Sequence, residues 1–305
     1  MQYLVTATSL NLRNGPSLND AIVGSLTNGQ AVDVTNSSNP DWWLVSALVN
    51  SNTFSGYVAS RYLREIPVAV PAQQLNPHKV IAVHYATSPD SNRASINARH
   101  APLSEANLPL RDVSPSAARL TKIADVYKIA DYLDVANSAR YQPTPKSTYC
   151  NIYAYDFCYL AQAYLPRVWW MSKALMEFAK TPGYNPKPAY GKNVAELNAN
   201  ALYDWLDEWG DDFGWMRTYD LTDLQGKVNE GRVGIVCAKR RDQTRSGHIS
   251  CVLPEANGIT ARRDGAKVTA PLQSQAGVKN KKFFSDDWWV RLAQEYSNFG
   301  YWYHD

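Results

Sequence analysis

The sequence predicts an α+β protein in which a small N-terminal all-β barrel is followed by a domain of helices packed on an antiparallel sheet. In residues 1–65, short strand patterns alternate with turn residues, which is typical of small barrels. Residues 66–77 are interrupted by prolines and have no periodicity, so they predict a linker. Residues 78–305 begin with helical periodicity and end with strand patterns, an order that favours an α+β domain.

Composition and charge narrow the functional classes. The chain has 305 residues, of which 45% are hydrophobic, and this is enough for one large or two smaller cores. Its net charge of +3 is spread along the sequence. That charge is too small to indicate nucleic-acid binding, although it suits a polyanionic surface such as a bacterial wall. The first residues lack a signal-peptide pattern and no apolar run is long enough to cross a membrane, so we expect neither a signal peptide nor a membrane span.

The strands of the first part are predicted at residues 3–8, 10–13, 21–26, 31–35, 42–46 and 56–60. The region contains the motifs Leu10-Asn-Leu-Arg-Asn-Gly-Pro-Ser17, Trp42-Trp43-Leu-Val45 and Gly56-Tyr-Val-Ala-Ser-Arg-Tyr-Leu63. These motifs resemble successive signature positions of bacterial SH3-like domains. The resemblance implies a wall-binding module that targets peptidoglycan or its peptides, with a structural spacer as the alternative.

Helical and strand patterns follow in order along the second part. Ser114 and Pro115 fit an N-cap followed by proline at the first helical position, and they predict the start of a helix. A second helix is predicted to begin between residues 147 and 150 and to end before Pro166. Further helices are predicted at residues 168–180, 197–209 and 221–228, and strands at 79–85, 233–239, 248–254 and 267–272, before an aromatic tail at 288–303.

Cys150 is the first candidate for chemistry. Pro143 and Pro145 cannot propagate a helix, so Cys150 is predicted to lie in the first turn of the helix that follows them. A thiol at a helix N-terminus faces unpaired amide donors, which favour the nucleophilic thiolate. Far downstream, His248 opens an alternating strand pattern. A cysteine on a helix and a later histidine on a strand can meet in space as nucleophile and base.

The motifs Tyr149-Cys150-Asn151, Val228-Asn-Glu-Gly-Arg-Val-Gly-Ile235 and Gly247-His248-Ile249 resemble those of the papain-like cell-wall amidases and endopeptidases, the group that includes CHAP domains. The resemblance covers residues 147–275. It implies a papain-like core with Cys150 as nucleophile and His248 as base.

A polar residue on the strand after the histidine orients the imidazole in that group. We favour Gln275, then Gln273, with Glu255 as a further alternative. The oxyanion is expected at the helix start, where Tyr149 and Asn151 are candidates to assist the Cys150 amide.

The other cysteines and histidines suggest no metal site or cofactor, because none has the spacing of metal ligands. A hairpin centred on Thr244 would place Cys237 opposite Cys251, which leaves a disulfide open. The favoured interpretation of these two cysteines is that of small buried hydrophobic residues.

Together these features predict a peptidoglycan hydrolase that cuts an amide of the stem peptide. The domains expected are a wall-binding module at residues 1–65, a linker at 66–77 and a cysteine hydrolase at 78–305. We expect a secreted or delivered antibacterial toxin or a lysin, with an immunity protein as a possible partner. The alternatives are a cysteine protease or deamidase toxin acting on a protein, and a non-catalytic wall-binding protein.

Overall fold

The computed structural model describes residues 2–49, 52–65, 80–85, 88–256 and 258–305. The chain forms two compact units, residues 1–77 and 78–305. The predicted linker at 66–77 lies outside the described residues. The overall class is α+β, because an all-β unit precedes a unit of helices and antiparallel strands.

The first unit is one antiparallel sheet of seven strands in the order β3-β2-β6-β5-β4-β1-β7. Alternate residues point inward and form a small core of aliphatic side chains that includes Leu12, Leu26, Val45 and Val58. The strands are β1 Gln2–Val5, β2 Ser9–Arg13, β3 Ile22–Thr27, β4 Ala31–Asn36, β5 Trp42–Val49, β6 Asn52–Ala59 and β7 Leu63–Glu65.

The described residues of the second unit form six α-helices and the remaining strands. The helices are α1 Arg119–Leu133, α2 Cys150–Leu160, α3 Ser172–Lys180, α4 Ala199–Glu208, α5 Leu221–Asn229 and α6 Trp288–Arg291. The strands are β8 Val168–Trp170, β9 Val194–Glu196, β10 Trp215–Thr218, β11 Val233–Arg240, β12 His248–Val252, β13 Arg262–Asp264, β14 Lys267–Ala270, β15 Gln273–Gln275, β16 Lys281–Phe284 and β17 Tyr296–His304.

The main sheet of the second unit positions the candidate site. Its antiparallel strands follow the order β10-β17-β11-β12-β15-β16. Helix α2 packs on β12, and α4 packs on β11. Its main core is apolar and includes most of the inward side chains of α2. Because α2 carries Cys150 and β12 begins at His248, this packing brings together the two elements that carry the predicted residues.

The predicted start of one helix was wrong, and another helix ends several residues short of the proline that was predicted to limit it. Helix α1 begins at Arg119 rather than at Pro115, because residues 114–117 form a turn closed by Ala117 N–H and the Ser114 carbonyl. Helix α2 ends at Leu160, before Pro166. Arg111 ends it by donating from its backbone N–H to the Leu160 carbonyl, at 3.0 Å, and from Nε to the next carbonyl.

Three predicted segments also differ in type. Residues 168–180 are not one helix, since β8 pairs with β9 before α3 begins. Residues 80–85 form no strand, and Lys79 lies outside the described residues. The predicted strand at 267–272 is interrupted at Pro271, which has no N–H to donate. As a result β14 pairs with β13, and β15 instead joins the main sheet beside β12.

The favoured interpretation of Cys237 and Cys251 as small buried residues is confirmed, and the alternative in which they face each other is not. In the β11–β12 hairpin Cys237 lies opposite Ile249, and Cys251 lies opposite Ile235. The hairpin is therefore centred one residue earlier than Thr244. All four cysteines are free and buried.

Candidate active site

Cys150 is the first residue of α2 and packs against the start of β12. The first amides of α2 have no intrahelical acceptor, as in any helix, and the Tyr149 side chain does not cap them. The thiol sulfur faces the backbone amides of Ile249, Asn151 and Cys150 itself. Since Ile249 follows His248, the sulfur lies beside the backbone that carries the predicted base. Cys150 is only 2% exposed.

His248 begins β12, directly after a glycine that the packing requires. A Cβ on Gly247 would collide with the Ala238 carbonyl oxygen and would lie 2.7 Å from Asn200 Oδ1. Asn200 is buried in α4 and holds the turn before the histidine. It donates from Nδ2 to the Arg245 carbonyl at 2.9 Å and accepts at Oδ1 from Arg240 N–H at 2.8 Å. The sequence motif Gly247-His248 therefore reflects a close approach between α4 and the hairpin.

Gln275 lies at hydrogen-bond distance from His248. The distance between His248 Nε2 and Gln275 Oε1 is 2.7 Å. Gln275 Nε2 donates to the Lys279 carbonyl at 3.3 Å, which fixes the orientation of the side-chain amide. Because Oε1 can only accept, His248 Nε2 carries the proton in a neutral ring and Nδ1 is left as the acceptor. This is the tautomer that a base at Nδ1 needs.

Gln273 and Glu255, the alternatives to Gln275, contact other groups. Gln273 is fully buried, and its Oε1 accepts from Trp288 Nε1 at 3.0 Å and from Ser250 Oγ at 2.8 Å. The Trp288 ring lies edge-on to the imidazole of His248, with 4.7 Å between the ring centroids. Gln273 therefore supports His248 indirectly, through this tryptophan. Glu255 instead forms an ion pair with Arg263.

Burial keeps both predicted catalytic groups neutral in the free protein. Burial raises the pKa of the Cys150 thiol, although the three nearby amides oppose the rise. Burial also lowers the pKa of His248 to about 4, although the hydrogen bond with Gln275 acts to raise it. The expectation of a thiolate at the helix start does not hold for this state, because loss of solvation outweighs the helix-terminal amides.

A groove of about 1470 Å³ runs past these residues within the second unit. Tyr149, Asn151, His248 and Gln275 reach its surface, whereas Cys150 lies just behind the wall. The Thr144–Ser147 turn, the turn before His248 and the loop after Gln275 line the groove. A substrate in this groove would contact all three of these segments.

The two side chains considered for the oxyanion have other partners. Arg99 stacks on the Tyr149 ring, with its guanidinium carbon 3.7 Å from the ring centroid. Asn151 donates from Nδ2 to the Leu197 carbonyl at 2.9 Å and so anchors the helix. The backbone amides of Cys150 and Asn151, which face the sulfur, are the donors best placed for an oxyanion.

A buried ion pair that the sequence did not reveal anchors α2 behind Cys150. Arg140 and Asp156 are both fully buried, with Nε and Oδ2 2.6 Å apart. The Tyr141 hydroxyl donates to the same carboxylate at 2.9 Å. Asp156 lies on α2, so this network fixes the helix that carries Cys150. The sequence signal was a single acidic residue within an apolar helix.

Among the described residues, no group of histidine, cysteine and acidic side chains could hold a metal ion. No helix in the described part of the chain is long and apolar enough to cross a membrane.

Comparison with known proteins identifies the family of the first unit. Residues 8–64 match the bacterial SH3 domain family. No curated protein matches the chain. A solved structure of NlpC2 from Trichomonas vaginalis aligns with 94% of this chain and 70% of its own, at 10% identity and a TM-score of 0.19. The bacterial SH3 resemblance of the N-terminal motifs is thus confirmed for residues 8–64.

Proposed function

We propose that the chain is a peptidoglycan hydrolase, a cysteine amidase or endopeptidase that cuts an amide bond of the stem peptide. The observation that carries this proposal is the hydrogen bond between His248 Nε2 and Gln275 Oε1, 2.7 Å long, beside a cysteine at the start of a helix. It leaves Nδ1 of a neutral imidazole available as a base, on the residue before Ile249, whose amide the Cys150 sulfur faces.

The reaction begins when the substrate amide reaches the Cys150 sulfur. His248 Nδ1 takes the thiol proton as the sulfur attacks the carbonyl carbon, and the first amides of α2 donate to the oxyanion. The imidazolium then gives its proton to the leaving amine as the carbon–nitrogen bond breaks. Water, activated by the same histidine, hydrolyses the thioester and releases the acid. Gln275 holds the ring in position throughout.

In this proposal the bacterial SH3 unit holds the enzyme on the wall. A groove of about 610 Å³ within this unit is lined by Arg13, Trp42, Arg61 and Tyr62, among others. Aromatic and cationic side chains suit a ligand with both apolar and anionic groups. Delivery to a competitor's wall as a toxin, opposed by an immunity protein, or release as a lysin are both compatible with such an enzyme.

The test is to incubate purified peptidoglycans of several chemotypes with the wild-type chain and with Cys150→Ala, and to identify released fragments by mass spectrometry. Fragments released by the wild type alone would support the proposal and identify the bond cut. If neither protein released fragments from any wall, the hydrolase proposal would be rejected. A protein substrate or a binding role would then be the remaining explanations.

A further inference from the structure

The groove beside Cys150 and His248 is strongly basic. Two acidic residues, Glu196 and Asp286, line it, against eight basic ones: Arg99, Lys146, Arg167, Arg240, Arg245, Lys279, Lys281 and Arg291. The whole chain carries a net charge of only +3. Positive charge is therefore concentrated at this groove, where it raises the local concentration of anionic ligands.

Internal ion pairs account for three of these cations. Arg167 contacts Glu196 at 2.7 Å, and Arg291 contacts Asp286 at 2.8 Å. Arg240 pairs with Glu295. Neutralised in this way, these arginines contribute less to ligand binding than cations without an acidic partner.

Lys146, Arg245 and Lys279 form no ion pair within the described part of the chain, and all three are exposed. The backbone N–H of Arg245 donates to the Asp242 carbonyl at 3.1 Å, and its charge helps to lower the pKa of the Asp242 side chain, although the main cause of that shift is a hydrogen bond from Thr244. Each cation also lies within four positions of a proposed catalytic residue: Lys146 before Cys150, Arg245 before His248 and Lys279 after Gln275.

Hydrogen bonds hold the backbone at each of these positions. Lys146 lies in the turn in which Thr144 N–H donates to the Ser147 carbonyl at 2.9 Å. The carbonyls of Arg245 and Lys279 accept from Asn200 and Gln275, respectively. Three separate segments thus present unpaired cations to one groove from fixed backbones. Cations that serve only to keep the surface solvated would not need to lie together at one groove.

We propose that Lys146, Arg245 and Lys279 select an acidic peptide, binding free carboxylates on either side of the amide that is cut. The inference rests on the proposed function for the identity of the peptide, but the binding preference itself does not require cleavage. In peptidoglycan the matching group is the α-carboxylate of the stem-peptide glutamate, which some walls carry as a carboxamide. These three cations would make the enzyme prefer the free acid.

The test uses two stem tetrapeptides with a neutral dye, identical except that the glutamate α-carboxylate of one is a carboxamide in the other. Their dissociation constants are measured by fluorescence anisotropy with full-length Cys150→Ala, so that neither peptide is cut. We expect the acid peptide to bind about 10-fold more tightly than the carboxamide peptide at low salt. The preference should shrink at high salt, about 0.5 M NaCl, because exposed charges are screened. Adding Arg245→Gln and Lys279→Gln should reduce the preference to about twofold.

Lys173→Gln is the matched control, because it removes one charge from an exposed residue of α3 outside the groove lining. It should leave the preference unchanged. Equal binding of the two peptides, an equal preference in all variants, or no binding of either would overturn the proposal. A competition experiment gives one more outcome. If polyphosphate displaced the labelled acid peptide at a lower concentration than the unlabelled acid peptide does, the proposal would be overturned in favour of a polyphosphate ligand. A preference for the acid without any cleavage by the wild type would reject the hydrolase and retain this inference.

Discussion

Gln275 Oε1 lies 2.7 Å from His248 Nε2, and the Gln275 amide is itself held by the Lys279 carbonyl. The contact joins the ends of two neighbouring strands of the main sheet, β12 and β15. A neutral amide orients the imidazole but stabilises its protonated form less than a carboxylate would. This is consistent with the low pKa that burial gives His248.

Replacing Gln275 should change both the rate and its pH dependence. Gln275→Ala removes one hydrogen bond to the imidazole, and we expect this to lower kcat/KM about 10-fold. Gln275→Glu places a carboxylate beside the ring, stabilises imidazolium and raises the pKa of His248 above its present value of about 4. The acidic limb of the kcat/KM profile should therefore move to higher pH. An unmoved limb in Gln275→Glu would show that His248 is not the base.

His248 should also make the fold less stable in mild acid. Burial lowers its pKa from 6.5 to about 4, so between these values the unfolded chain binds more protons than the folded one. Stability from this residue is complete above about pH 6.5 and is lost as the pH falls toward 4. The free energy of unfolding is measured by urea denaturation at several pH values in this range. The difference between wild type and His248→Gln should change with pH. Gln294→Ala, which removes an exposed side chain with no ionisable group, is the control and should give a constant difference.

Asp156→Asn should destabilise the second unit strongly. It leaves the buried Arg140 guanidinium without its counter-charge, and breaking such a pair costs about 3 to 5 kcal/mol. Asp204→Asn breaks the exposed pair with Lys239 and should cost less than about 1 kcal/mol. Chemical denaturation measures both. Similar small losses for the two variants would mean that the buried pair does not anchor α2.

Gln273→Ala should reduce activity without touching His248. It leaves Trp288 Nε1 and Ser250 Oγ without their acceptor, at about 1 to 3 kcal/mol for each buried group. Trp288 then loses its fixed position against the imidazole, so kcat should fall more than KM rises. Steady-state kinetics and the free energy of unfolding separate the two effects. Lost stability with unchanged kcat would restrict Gln273 to a structural role.

Local sequence patterns predicted the architecture better than they predicted the site's electrostatics. The helix start at Cys150 and the strand at His248 followed from prolines, periodicity and a glycine. The alternative in which Cys237 faces Cys251 was not met, because composition does not fix the length of a hairpin turn and one residue changes the register.

Properties that depend on distant segments were not predictable in this way. The Arg140–Asp156 pair joins two elements whose proximity depends on the tertiary fold. The neutral Cys150 thiol results from burial by the sheet, which outweighs the helix-terminal amides that the sequence does reveal. The catalytic roles of Cys150, His248 and Gln275 stay predictions.

The most direct test of the account is the rate of stem-peptide cleavage by Cys150→Ala compared with Cys158→Ala. Both variants remove a buried thiol from α2, but only Cys150 faces the amide of Ile249 next to the proposed base. The account predicts a loss of at least about 1,000-fold for Cys150→Ala, as expected when a nucleophile is removed, and a rate near wild type for Cys158→Ala. Cleavage by Cys150→Ala at the wild-type rate would contradict the account.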